Sequence, residues 1–247
     1  MPKALITGAS SGIGTEIARI LSEKGYEIIL VARREDRLNA LAATLPTKSY
    51  VESVDLSDIN NLKKLTEGYK DIDILVNNAG FGIYGAFDET DFEKENKMID
   101  VNVVALHYLM KAYLPHMKKH GGKILNVASS AAFFSGPLLS SYYASKAYVL
   151  RLSNAVREEL RRDKAPVTIS VLCPGPVDTE FGALSGSKLG NAAVSARLVA
   201  KTAVNGMFRG KKTIVPTLTI KLTRILSKIL PEALTVRVVY ILQKAKG

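Results

Sequence analysis

Between Lys3 and Pro216 the chain alternates short apolar runs with longer amphipathic ones, almost without exception. Lys3–Thr7, Tyr26–Ala32, Ser49–Val54, Asp73–Asn77, Lys123–Ala128, Val167–Cys173 and Thr213–Pro216 read as seven strands, mostly apolar on both faces. Between them Ile13–Lys24, Asp36–Leu45, Ser57–Tyr69, Asp91–His120, Tyr142–Asp163 and Val194–Arg209 repeat at helical spacing. Strands apolar on both faces need a layer on each side, and a strand–helix–strand order makes them parallel. Right-handed crossovers then yield a Rossmann-like, doubly wound α/β fold, a seven-stranded parallel sheet with helices on both faces. The 247 residues hold no repeat, linker or low-complexity run, so residues 1–247 are expected to form one domain.

Composition narrows the class. Mean hydropathy is +0.09, and no window of about 18 apolar residues offers a membrane span. The start of the chain lacks the apolar core of a signal peptide. The single cysteine, Cys173, forms no internal disulfide and reads as a small buried hydrophobe. A cytoplasmic protein without a metal site is the expectation. Net charge is +11, and residues 201–247 carry +9 of it, with Glu232 as the only acid. Aromatic residues are too sparse there for a nucleic-acid surface. Within that tail, Leu218, Leu222, Ile225, Leu226, Ile229 and Leu230 share a helical face opposite Lys221, Arg224 and Lys228. The favoured reading is a helix packed on its own protein with a solvated basic face. The alternatives are peripheral membrane contact through 218–230, a cover over a substrate pocket, and docking on a second subunit.

Two motifs carry chemistry. Gly8, Ser10, Ser11, Gly12, Ile13 and Gly14 occupy the turn from the first strand to the first helix. Glycines there allow close backbone approach, and the helix start presents free N–H groups and a positive dipole end to a pyrophosphate. The same stretch matches GxSxG, yet His107, His116 and His120 all belong to one helix region and precede the later strands, which disfavours a serine hydrolase. At the end of the second strand Arg33 and Arg34 suit a 2′-phosphate, which favours NADP(H) over NAD(H). Farther on, Tyr142 and Lys146 stand at i and i+4, with Ser129 upstream at the end of the fifth strand. An ammonium beside the phenol lowers its pKa and makes it a general acid, and the serine hydroxyl can stabilise charge growing on a substrate oxygen. Tyr143 reads as a packing or pocket residue. Residues from about 178 to 200, rich in Gly, Ser and Ala, read as a substrate lid or as an ordinary connection.

With TGASSGIG at 7–14, Asp55 in VDLS, NNAG at 77–80, Asn102, Ser129, YYASK at 142–146 and PGPVDT at 174–179, the sequence resembles the short-chain dehydrogenase/reductase family over residues 3 to 216. The resemblance implies a catalytic set of Asn102, Ser129, Tyr142 and Lys146. Tyr142 would exchange a proton with the carbonyl or alcohol oxygen as hydride moves to or from nicotinamide. Lys146 would bind the nicotinamide ribose, and Asn102 would hold a relay water. Asp55 would contact adenine, with Asn78, Ala79 and Gly80 beside the cofactor. Pro174 and Gly175 would join them, and Thr179 would hold the carboxamide. Asp55 as a plain helix-entry residue, and Asn102 as a satisfied buried amide or a kink, remain alternatives. The implied protein is an NADPH-dependent oxidoreductase acting on a partly hydrophobic carbonyl or secondary alcohol, assembled as a homodimer or homotetramer. The alternative is a catalytically silent NADP(H)-binding protein.

Overall fold

The computed structural model describes residues 1–182 and 193–245. Seven parallel strands form one sheet: β1 (Lys3–Thr7), β2 (Glu27–Ala32), β3 (Ser49–Ser53), β4 (Ile74–Asn77), β5 (Gly122–Val127), β6 (Val167–Leu172) and β9 (Thr213–Ile214). Their spatial order is β3-β2-β1-β4-β5-β6-β9. Side chains alternate between faces along each strand, so the sheet divides two cores. Leu5, Ile29, Leu75, Ile124 and Val171 pack under α3 (Ile59–Gly68), α5 (Leu106–His120) and α6 (Ser140–Arg162). Ile6, Leu30, Val76, Leu125 and Leu172 pack under α1 (Gly12–Glu23), α2 (Glu35–Ala42) and α7 (Ala196–Phe208). The doubly wound expectation holds.

The chain leaves β3 at one edge and returns to β4 beside β1, so crossovers diverge on either side of the β1–β4 pair. Helices turn away to opposite faces there and leave a crevice at the carboxyl ends of the strands. Gly8, Asn78, Ala128 and Pro174 follow β1, β4, β5 and β6 at that rim.

Four departures from the expected pattern matter. The single helix expected over Asp91–His120 is instead α4 (Phe92–Ile99), a π-helical turn (Asp100–Ala105) and α5. Periodicity could not show this, because an inserted residue leaves the apolar run unbroken. Secondly, Val194–Ser195 begin not as helix but as β8, paired in parallel with β7 (Val177–Asp178). Of the lid expected over 178–200, residues 183–192 lie outside the described residues. Thirdly, α8 (Leu218–Ile229) is followed by a helix that the sequence reading did not anticipate, α9 (Glu232–Lys244). Lastly, α8 does not bury its apolar face as the favoured reading has it: Leu218 is 75% and Ile229 72% exposed, while Lys221 and Lys228 are exposed as expected.

Candidate active site

A cavity of about 720 Å³ follows the strand ends, from the glycine turn at one end to Tyr142 and Gln243 at the other. Gly8 has φ of +66°, and a Cβ there would lie 2.9 Å from the Ala79 backbone. A Cβ on Gly14 would lie 2.3 Å from the Gly8 carbonyl oxygen, so this turn closes only with glycine. Thr7 and Asn78 hold it from behind. Thr7 Oγ1 accepts from the Asn78 and Ala79 amides, and Asn78 Nδ2 donates to the Thr7 and Gly8 carbonyls. Asn78 is thus a clamp on the turn as well as part of the cavity wall. Ser11 begins α1 without capping it by its side chain, and the first turn of α1 carries no acid. The first N–H groups of α1 therefore stay available to an anion, with Ser10, Ser11, Gly12 and Ile13 all on the cavity wall. Such a cradle fits a dinucleotide pyrophosphate.

At the far end, β5 delivers Ser129 and α6 delivers Tyr142 and Lys146 one turn apart, and all three line the cavity. Ser129 begins a 3-10 turn (Ser130–Phe133), and its Oγ accepts from the Ala131 amide at 3.2 Å. Tyr142 is 8% exposed and Lys146 4%. Burial, which disfavours both charged forms, pushes the Tyr142 phenol up to about 12, and the hydrogen bond with Ser129 draws it the other way. Burial also pulls the Lys146 ammonium down to about 8. Burial, rather than the neighbouring ammonium that the i, i+4 spacing brings to mind, is the largest influence on the Tyr142 phenol here. Lys146 Nζ donates to the Val127 carbonyl at 3.1 Å and lies 5.8 Å from the Tyr142 ring centroid.

Asn102 does not line the cavity. It sits in the π-helical turn, 1% exposed, where Nδ2 donates to the Phe81 carbonyl and Ser145 Oγ, and Oδ1 accepts from the Phe81 amide. Its side-chain bonds are those of the satisfied-amide alternative. A Cβ on Gly80 would lie 2.8 Å from Asn102 Oδ1 and 3.0 Å from Lys146 Nζ, so Gly80 lets the two come together. Asp55 is not the helix-entry residue either: Asp58 caps α3, while Asp55 Oδ1 accepts from the Ser57 amide and hydroxyl. Those bonds hold its carboxyl below the usual range, and it remains on the cavity wall. Ser10 Oγ, the nucleophile of the hydrolase reading, accepts from Arg34 and has no histidine partner. Cys173 is fully buried, its thiol pushed up to about 12. Among the described residues no group of acids, histidines and cysteine could hold a metal ion.

The sequence matches the family model for short chain dehydrogenase over residues 2–190. The chain belongs to the short-chain dehydrogenases. An uncharacterized oxidoreductase of Staphylococcus epidermidis is 38% identical over 181 residues, covering 71% of this chain and 78% of that protein. A very-long-chain 3-oxoacyl-CoA reductase of Phaeosphaeria nodorum is 40% identical over 172 residues, 64% of this chain and 50% of that protein. Among solved structures, a short-chain dehydrogenase from Sphingobium yanoikuyae in complex with NADPH is 28% identical, with TM-score 0.82 over 94% of this chain and 98% of that one. One from Burkholderia phymatum in complex with NAD reaches the same TM-score at 25% identity, over 91% and 92% of the two chains. As a member of this family the protein is an oxidoreductase, and relatives of its fold hold either dinucleotide.

This short-chain dehydrogenase also brings to the cavity residues that the sequence reading missed. Arg34 Nη1 donates to Glu180 Oε2 at 2.7 Å, and Arg37 to the other carboxylate oxygen. Glu180 therefore occupies the guanidinium expected for a 2′-phosphate, while Arg33 is exposed beside it on the cavity wall. Thr179 packs against Gly12, where a Cβ would meet its methyl at 2.8 Å, and Pro174 and Gly175 line the same edge. Phe81, Ile83, Leu139, Tyr143 and Phe181 form an apolar end around Tyr142, with the Phe181 and Tyr142 rings 5.2 Å apart. One polar group enters it from α9. Gln243 is 5% exposed, its Nε2 donates to Tyr143 Oη at 2.5 Å, and its Oε1 is buried without a partner.

Proposed function

We propose that this chain is an NADPH-dependent reductase of a partly hydrophobic ketone, or the dehydrogenase of its secondary alcohol, working in the cytoplasm as a homo-oligomer. The observation that carries this reading is the meeting of Ser129, Tyr142 and Lys146 on a cavity whose other end is the open start of α1. Bound NADPH supplies the hydride. Tyr142 donates its phenolic proton to the substrate oxygen, and Ser129 donates a hydrogen bond to that same atom as charge gathers on it. Tyr142 is protonated throughout the neutral range, and the Ser129 hydrogen bond, which draws its pKa down, supports the acid role. Lys146 contacts the nicotinamide ribose and is charged below about pH 8. Asn102 is a positioning residue: its bonds to Phe81 and Ser145 stiffen the wall behind Lys146.

For the cofactor, the start of α1 takes the pyrophosphate, Asp55 the adenine side, and Gly80, Pro174, Gly175 and Thr179 the nicotinamide side. Arg33 and Arg34 favour NADPH, because a guanidinium fork matches a phosphate dianion. The apolar end around Phe81, Leu139 and Phe181 supports a hydrophobic substrate. Exposed Ile99, Val104 and Tyr148, at 40%, 43% and 36%, support an oligomer through α4, the π-helical turn and α6. The test follows NADPH and NADH consumption across a panel of ketones, with Tyr142→Phe as control. The Phe variant keeps NADPH binding and loses about 10²–10⁴ in kcat. Turnover at the parent rate in that variant, or a preference for NADH, overturns the corresponding part of the reading.

A further inference from the structure

Helices α8 and α9 present the wrong faces to solvent for a free soluble chain. On a 3.6-residue turn, Leu218, Leu222, Ile225 and Ile229 fall within about 60° of one another. All four are exposed, between 55% and 75%. The side of α8 turned to the body carries Ile220, Thr223, Arg224 and Ser227. Ile220 packs at Gly175, Arg224 lies over the Phe133 ring, and the two hydroxyls bond to carbonyls of their own helix. Helix α9 repeats the inversion. Its buried residues are Thr235 and Gln243, while Leu234, Val238, Ile241 and Leu242 are 46% to 66% exposed. Of the twenty large exposed apolar side chains among the described residues, eleven lie between Leu218 and Leu242. Exposed apolar side chains gathered so densely on two successive helices mark a surface that something covers.

Charge identifies the occupant. Lys221 and Lys228 flank the apolar face of α8, and Arg237 and Lys244 flank that of α9, all exposed. The one acid in the tail, Glu232, accepts a hydrogen bond from Ser135. Two copies paired through this face would set these cations against one another with only Glu232 of each copy to answer them. An anionic bilayer answers them all, taking the leucines and isoleucines below the headgroups and the long basic side chains at them. We infer that α8 and α9 dock this protein flat on anionic lipid. The same helices line the reaction cavity through Gln243 and abut it through Ile220 at Gly175, so docking turns the apolar end of the cavity toward the bilayer. The docking stands without the catalytic reading: a chain that reduces no ketone and still floats with vesicles fails only the latter.

The test is flotation of the whole chain with vesicles of phosphatidylcholine, with and without phosphatidylglycerol. The protein floats with the anionic vesicles, and salt at about 0.5 M releases it. Ile229→Glu lowers partitioning more than tenfold, and removing Lys221 or Lys228 lowers it about fivefold each. NADPH binding in solution is unchanged in all three. Failure to float with anionic vesicles overturns the inference, as does equal binding to both vesicle types. A dimer in solution that Ile229→Glu dissociates also overturns it, by giving the face to a second copy.

Discussion

Replacing Lys146 by methionine stabilises the fold and abolishes the reaction. Lys146 is 4% exposed, and burial brings its ammonium from the ordinary 10.5 down to about 8. At about 1.36 kcal/mol for each pH unit between those values, holding the charge inside costs about 3 kcal/mol at pH 7. Between about pH 8 and 10.5 the unfolded lysine still binds its proton when the folded one has released it, so stability rises with pH across that window. Methionine keeps the length of the stem and removes the charge, but leaves the Val127 carbonyl without its partner, at a cost of about 1 kcal/mol. The variant is then about 2 kcal/mol more stable at pH 7. That margin shrinks by about 1.4 kcal/mol at pH 9, where the wild-type lysine has discharged. Urea unfolding of both proteins at the two pH values reads the difference, in which tyrosines common to both cancel. A variant that is less stable at pH 7, or a margin that does not change with pH, refutes the reasoning.

Glu180→Gln frees Arg34 and Arg37 from a competing carboxylate and tightens NADPH binding about two- to fivefold, as expected for exposed ion pairs, with little effect on NADH. Fluorescence titration with both cofactors checks it, and an equal change for the two removes the 2′-phosphate assignment. Gln243→Leu removes an unpartnered buried oxygen from the apolar end of the cavity. KM for wholly apolar ketones falls, and KM for ketones bearing a hydroxyl group rises about tenfold, since Oε1 is the acceptor such a group would meet. Steady-state kinetics on a matched pair of substrates decides it, and parallel changes count against a substrate contact.

What the sequence made legible was governed by local rules. Unbroken apolar runs, such as Ile28–Ala32 and Ile74–Val76, called for a core on each face of the sheet. The turn at Gly8–Gly14 was readable because only glycine fits a 2.3 Å gap, and Tyr142 and Lys146 because i and i+4 share a helix face. What escaped depended on distance along the chain. Glu180 meets Arg34 across 146 residues, and Gln243 meets Tyr143 across 100. No spacing rule couples residues so far apart. The orientation of α8 escaped for another reason: a pattern tells which residues share a face, not which way that face looks. For Tyr142 the depth of burial, the largest influence on its phenol, emerges only from the packed fold.

The pairing of Val177–Asp178 with Val194–Ser195 ties together both ends of the intervening stretch. That clasp joins the end of β6 to the start of α7, and directly after its first dipeptide come Thr179, against Gly12, and Phe181, whose ring lies 5.2 Å from that of Tyr142. Through Thr179 and Phe181 one short piece of chain thus touches both the glycine turn and the Tyr142 ring, so a substitution there is felt at both ends of the cavity.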